Sequence, residues 1–194
     1  MDGEKVRPQR WSRLYSILGT LGAMWLWYML IVVLSGLVGG ADSSIRAASH
    51  PFVGIMPNLM LAANPMMSFG ATFFAACVCA PLAEEAIFRG LICHRIAGRT
   101  EDGRPKDWWP IIAFSFLLFG FLHTFNYDGV MLQGVYGLML AMLWYRNGTS
   151  QKSSYFSCVL AHASYNFSVL AMNLLFSRLM TEVVRELIEK LGKH

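Results

Sequence analysis

The sequence predicts an all-α protein: a polytopic transmembrane helix bundle of about five spans with an amphipathic C-terminal helix. Three observations lead there. Hydrophobic residues make up 55% of the 194 and charged residues only 14%, with a mean hydropathy of +0.44, whereas an ordinary soluble domain carries about 25% charged residues. The apolar residues fall in runs long enough to cross a bilayer, separated by short polar stretches. Lys and Arg gather at the ends of those runs, as membrane flanks do.

Residues 1–13 are polar and basic, with Lys5, Arg7, Arg10 and Arg13. Leu14 to Val38 then runs about 25 residues without a charge, too long for a signal-peptide core and long enough to span, which predicts a retained first helix. Residues 39–65, "GGADSSIRAASHPFVGIMPNLMLAANP", are rich in Gly, Ser, Asn and Pro and read as a loop with a short amphipathic piece at the membrane surface. A second helix is expected from Met66 to about Gly98. "GRTEDGRPKD" is a hydrophilic loop, and Trp108 and Trp109 after it form an interfacial anchor. The third helix runs to about Phe125. "NYDG" reads as a tight turn, because Asp-Gly favours one. The fourth helix is expected over Val130 to Tyr145, "RNGTSQKSS" as a loop, and the fifth helix from about Tyr155 to Phe176. A charged tail, "SRLMTEVVRELIEKLGKH", follows, with apolar residues at Leu179, Val183, Leu187 and Leu191. The chain thus divides into an N-terminal segment with the first helix and its loop (1–65), a helix bundle (66–176) and an amphipathic tail (177–194).

The net charge of +4 does not point to nucleic acid, because the basic residues are membrane flanks; the expected partner is the lipid bilayer. Ten of the sixteen Lys and Arg fall in the N-terminus, the region from Arg95 to residue 107 and the 146–153 loop, while the 39–65 loop holds only Arg46. This asymmetry puts the N-terminus on the cytoplasmic side of a multi-pass, bacterial-type cell membrane. Five spans leave the basic tail on the far side, so the tail is expected to fold back or lie along the interface. Cys77, Cys79, Cys93 and Cys158 lie in or beside apolar runs and read as small buried hydrophobes rather than a disulfide or zinc framework.

Against this background the stretch "APLAEEAIFRG", Ala80 to Gly90, stands out. Each charge near a bilayer centre costs about 2.5 to 3.5 kcal/mol on the insertion scale. Glu85 and Arg89 are four apart and share a helix face, so they can neutralise each other. Glu84 is rotated about 100° away; an unpaired carboxylate there faces a wet cavity or takes up a proton, the position of a general base. "FGFLHTF" places Phe119 and His123 four apart on the third helix, and "HASYN" places His162 and Asn166 four apart on the fifth. Glu84 stands 14 residues before Gly98 and His123 stands 15 after Trp108, so both lie about 21 to 22 Å along antiparallel helices. They are level. His162 stands only about 7 residues, some 10 Å, inside its own segment unless that helix begins earlier, near Ser150. A lone histidine or one Glu–Arg pair on an apolar helix is ordinarily structural, but ionisable and amide groups on three membrane helices mark function.

In order, "EEAIFRG", "FGFLH" and "HASYN" resemble the EExxxR, FxxxH and HxxxN motifs of the CPBP family, the CAAX proteases and bacteriocin-processing enzymes also called the Abi family. The resemblance covers about residues 70 to 170, and the part before it is shorter than in the larger members. It implies an intramembrane endopeptidase, related to the type II CAAX prenyl endopeptidase, that cuts a membrane-associated protein or peptide by CAAX-type or leader-type processing. It also implies that Glu84 is the general base, Glu85 and Arg89 its electrostatic support, and His123 a second holder of the water. His162 and Asn166 then donate hydrogen bonds to the oxyanion. No cofactor is expected. The alternative is a zinc ion on Glu84, His123 and His162 with an open fourth position, although the chain has no HExxH. A covalent route has only Cys93 beside His94 in its favour, and adjacent helical residues do not face each other. The competing functions are a non-catalytic scaffold or bacteriocin-immunity protein with the same core, and a proton relay. The first helix, with only Ser, Thr and Tyr to offer, disfavours the relay. Gly120, Gly134 and Gly137 read as sites of close helix packing.

Overall fold

A computed structural model describes residues 10–39, 65–96, 108–123, 127–147 and 151–191. These form five helices, α1 (Arg10–Gly39), α2 (65–96), α3 (Trp109–His123), α4 (Tyr127–Arg146) and α5 (Gln151–Leu191), and no strand occurs among the described residues. The protein is an all-α bundle. Three stretches, Ser12–Leu34 of α1, Phe69–Ile96 of α2 and Ser154–Leu175 of α5, are long and apolar enough to cross a membrane, and α3 is apolar but shorter at 15 residues. Large apolar side chains also cover the outside, among them Leu26, Leu91, Leu122, Phe156 and Leu175. Such a surface suits lipid, which solvates apolar groups and leaves backbone polar groups to be satisfied inside the helices.

The core gathers side chains from all five helices, with Met24 of α1, Cys93 of α2, Ile111 of α3, Leu140 of α4 and Cys158 of α5 at its centre. Helix α1 is bonded to this unit: Trp25 Nε1 donates to Ser168 Oγ at 2.9 Å and Trp27 Nε1 to the Met131 carbonyl at 3.3 Å. Tyr136 of α4 and Tyr165 of α5 share a hydroxyl hydrogen bond beside them. Helices α3 and α4 meet backbone to backbone. A Cβ on Gly120 would stand 2.9 Å from the Val130 carbonyl, one on Gly134 2.8 Å from that of Phe116, and one on Gly137 2.6 Å from that of Ser115. Small residues at a crossing allow this approach where lipid gives helices no hydrophobic reason to associate.

Helix α2 is composite. Pro65–Phe73, Ala80–Glu85 and His94–Ile96 are α-helical, while Phe74–Cys79 and Ala86–Cys93 are wider π-helical turns. Such turns in an α-helix are uncommon and concentrate at functional sites.

Three boundaries differ from expectation. Tyr127, Asp128 and Gly129 belong to the first turn of α4 rather than to a tight turn, since an acidic residue suits the positive end of a helix as well as it suits a turn. The expected 146–154 loop shrinks, because α4 includes Arg146 and α5 starts at Gln151. Ser154 Oγ, donating to the Asn147 carbonyl at 2.7 Å, ties the ends together. The tail is no separate helix: α5 runs unbroken for 41 residues to Leu191. Of the loop expected at 39–65, Gly39 ends α1 and Pro65 begins α2, while residues 40–64, like the loop expected at 99–107, lie outside the described residues.

Candidate active site

Glu84 and Glu85 sit where the second π-helical stretch of α2 begins. The two carboxylates meet different surroundings: the Glu85 side chain has 0% exposure and Glu84 25%. A buried charge needs partners, and Glu85 has them. Arg89 Nη1 donates to its Oε1 at 3.1 Å, and Arg89 Nε approaches Oε2 at the same distance without hydrogen-bond alignment. The guanidinium, itself fully buried, donates Nη2 to the Gly137 carbonyl of α4 at 2.6 Å and lies over the rings of Phe88 and Phe119. Close packing at Gly137 therefore also brings α4 near enough to supply that acceptor.

Helix α5 reaches the same carboxylate. His162 Nδ1 bonds Glu85 Oε1 at 2.9 Å, which points its Nε2 toward Glu84 Oε2, 3.8 Å away. The early start of α5 resolves the depth: His162 lies 11 residues from Gln151, about 16 Å along the axis. On α3, His123 Nδ1 bonds the Phe119 carbonyl at 2.7 Å, the two rings stack with centroids 4.1 Å apart, and Nε2 stands 3.2 Å from Glu84 Oε2. Glu84 and the two histidines are thus brought together from three helices, with Phe119 stacked on His123, under Arg89 and edge-on to His162.

The hydrogens can be placed by elimination. A carbonyl oxygen only accepts, so His123 Nδ1 carries a hydrogen; Glu85, ion-paired to Arg89, likewise accepts from His162 Nδ1. Both Nε2 atoms then face Glu84 Oε2, that of His123 at 3.2 Å and that of His162 at 3.8 Å. The Glu84–His123 pair is the closest approach of an imidazole to that carboxylate.

Asn166, one turn after His162, is not turned wholly to this cluster. Its Nδ2 donates to the Ala76 carbonyl of α2 at 2.7 Å. Tyr155, two turns before His162, donates its hydroxyl to the Leu82 carbonyl at 3.0 Å. Tyr155, His162 and Asn166 fasten α5 to α2 along one line. Sequence reading missed Tyr155 and the Gly137 carbonyl. The seven-residue spacing from Tyr155 to His162 is a usable signal for the first, whereas a backbone acceptor has none. Among the described residues no group of three His, Cys, Asp or Glu is arranged to hold a metal ion.

The family model described as "Type II CAAX prenyl endopeptidase Rce1-like" matches residues 67–168, a span that contains every residue of this cluster. No curated protein and no solved structure gives a significant match to the chain.

Proposed function

The chain belongs to the Rce1-like family of type II CAAX prenyl endopeptidases, and from that premise we propose that it is an intramembrane endopeptidase in which Glu84 activates a water molecule. The observation that supports this most is the 3.2 Å contact between Glu84 Oε2 and His123 Nε2 on a carboxylate that keeps 25% exposure. Glu84 takes a proton from water, the hydroxide attacks the scissile carbonyl, and the proton passes to the departing amine. His123 holds the water and shares that proton. Glu85 and Arg89 stay sealed from substrate. Their work is to fix His162, which donates to the oxyanion together with Asn166. Hydrogen-bond donors placed before the reaction stabilise such charge by about 3 to 4 kcal/mol each.

The substrate class is a membrane-associated protein with a C-terminal CAAX sequence, reached from the bilayer, and the orientation is the one with the N-terminus cytoplasmic. The mechanism needs no metal. In mild detergent, the full-length chain is expected to cleave a quenched-fluorescence farnesylated CAAX peptide, and Glu84→Gln, nearly isosteric, to lower kcat about 10²- to 10⁴-fold without shifting Tm. Turnover by Glu84→Gln at the parent rate sinks the glutamate reading and favours a non-catalytic scaffold. Stoichiometric zinc that a chelator removes together with activity sinks the metal-free one.

A further inference from the structure

The bond from Asn166 to Ala76 has a cause in the chain of α2. In the π-helical turn Phe74–Cys79, Ala80 donates its backbone N–H to the Ala75 carbonyl, five residues back. The next bond in that register runs from residue 81 to the Ala76 carbonyl. Residue 81 is Pro81, which has no N–H. Because the N–H of Ala80 is committed to Ala75, the Ala76 carbonyl is left without a helical donor, and Ala76 is only 3% exposed. A buried carbonyl in that state needs a partner from elsewhere. Asn166 Nδ2 supplies it at 2.7 Å.

An asparagine amide is planar and carries two N–H groups on Nδ2. Binding one of them to Ala76 fixes the direction of the other, which has no acceptor among the described residues. We propose that Pro81 is a positioning residue: by withholding an N–H it keeps the Ala76 carbonyl as a dock for Asn166 and so aims the second amide N–H at the oxyanion. Pro81 stands three residues before Glu84 and its side chain is fully buried. The break in the backbone ladder therefore falls within one turn of the general base. This inference rests on the reading of Asn166 as an oxyanion donor. Its link between Pro81 and Asn166, however, can be measured without any activity.

The test is a pair of double-mutant cycles on the full-length chain in mild detergent, with Asn166→Ala, Pro81→Ala and their combination. Pro81→Val, which restores the N–H while keeping close to the volume of proline, covers the case in which Pro81→Ala fails to fold. In the parent, Asn166→Ala strands the Ala76 carbonyl and is expected to lower Tm by about 4 °C. In the Pro81→Ala or Pro81→Val background, where the N–H of residue 81 occupies that carbonyl, the shift is expected to fall below about 1 °C. With the farnesylated CAAX peptide, Pro81→Ala is expected to lower kcat about tenfold with KM within about twofold. In the Asn166→Ala background it should produce no further loss. Equal Tm losses in both backgrounds overturn the proposal, and so does a kcat loss from Pro81→Ala that persists without Asn166, which would mark an ordinary kink. A parent chain that cleaves nothing sinks the peptidase reading, and the Tm cycle still decides whether Pro81 acts through Asn166.

Discussion

At Arg89 two acceptors and two aromatic rings surround a guanidinium with no exposure: Glu85 on its own helix, the Gly137 carbonyl across the interface, and Phe88 and Phe119 as faces. Removing one member of a buried pair strands the other charge, which costs about 3 to 5 kcal/mol, whereas replacing both by apolar residues is often near neutral. Arg89→Met is therefore expected to destabilise the bundle by about that amount, measured by denaturant unfolding in mild detergent. Adding Glu85→Leu should recover most of it. Activity is not expected to return with stability, because His162 Nδ1 then has no acceptor and its ring is free to turn from Glu84. Recovery of turnover in the double variant would show that Glu85 does not orient His162. At this scale much of the site was legible. Four-residue spacing paired Glu85 with Arg89 and set His162 and Asn166 on one face, and charges in an apolar run announced a purpose. The Ala76, Leu82 and Gly137 carbonyls were not legible, because every residue has a carbonyl and only the fold decides which ones a side chain of another helix reaches.

Between elements, α3 and α4 behave as one unit because nothing larger than hydrogen fits at their crossing. A Cβ on Gly137 would stand 2.6 Å from both the Phe119 Cβ and the Ser115 carbonyl, neither of them the far end of a flexible chain. Gly137→Ala is expected to cost about 1 to 3 kcal/mol by overpacking and to lower peptidase activity as well, since it pushes at Phe119, on which His123 stacks, and moves the acceptor of Arg89. Gly22→Ala in α1, where a Cβ meets nothing within 4 Å, serves as the control and should be neutral or stabilising by less than about 1 kcal/mol. Equal effects from the two would mean that helix propensity, not the crossing, sets the outcome. Helix number and order followed from the apolar runs, whose length a bilayer dictates. Boundaries were harder. Asp-Gly and a Ser-rich stretch carry turn signals, yet the same small polar and acidic residues suit the first turn of a helix, and α4 begins at Tyr127 and α5 at Gln151. The π-helical turns of α2 have no periodicity of their own to read.

Over the whole molecule, the family match begins at residue 67, so α1 lies outside it, yet Ile17 and Met24 pack into the same core as the motif-bearing helices and Trp25 bonds Ser168 beside Tyr165. A helix held this way is a wall of the bundle rather than a tether. If a specific protease site is placed within residues 40–64 and cut, the two fragments are expected to co-elute in mild detergent, and Trp25→Ala to weaken their association. Fragments that part at once would make α1 a mere anchor. The longest element has a different consequence. Helix α5 measures 41 residues, about 61 Å and roughly twice the hydrocarbon thickness, while its apolar stretch ends at Leu175. The 16 residues beyond extend the same rod by some 24 Å. Whatever grips that outer end holds a lever whose short arm carries His162 and Asn166, so torque applied there is delivered to those two side chains without passing through any loop.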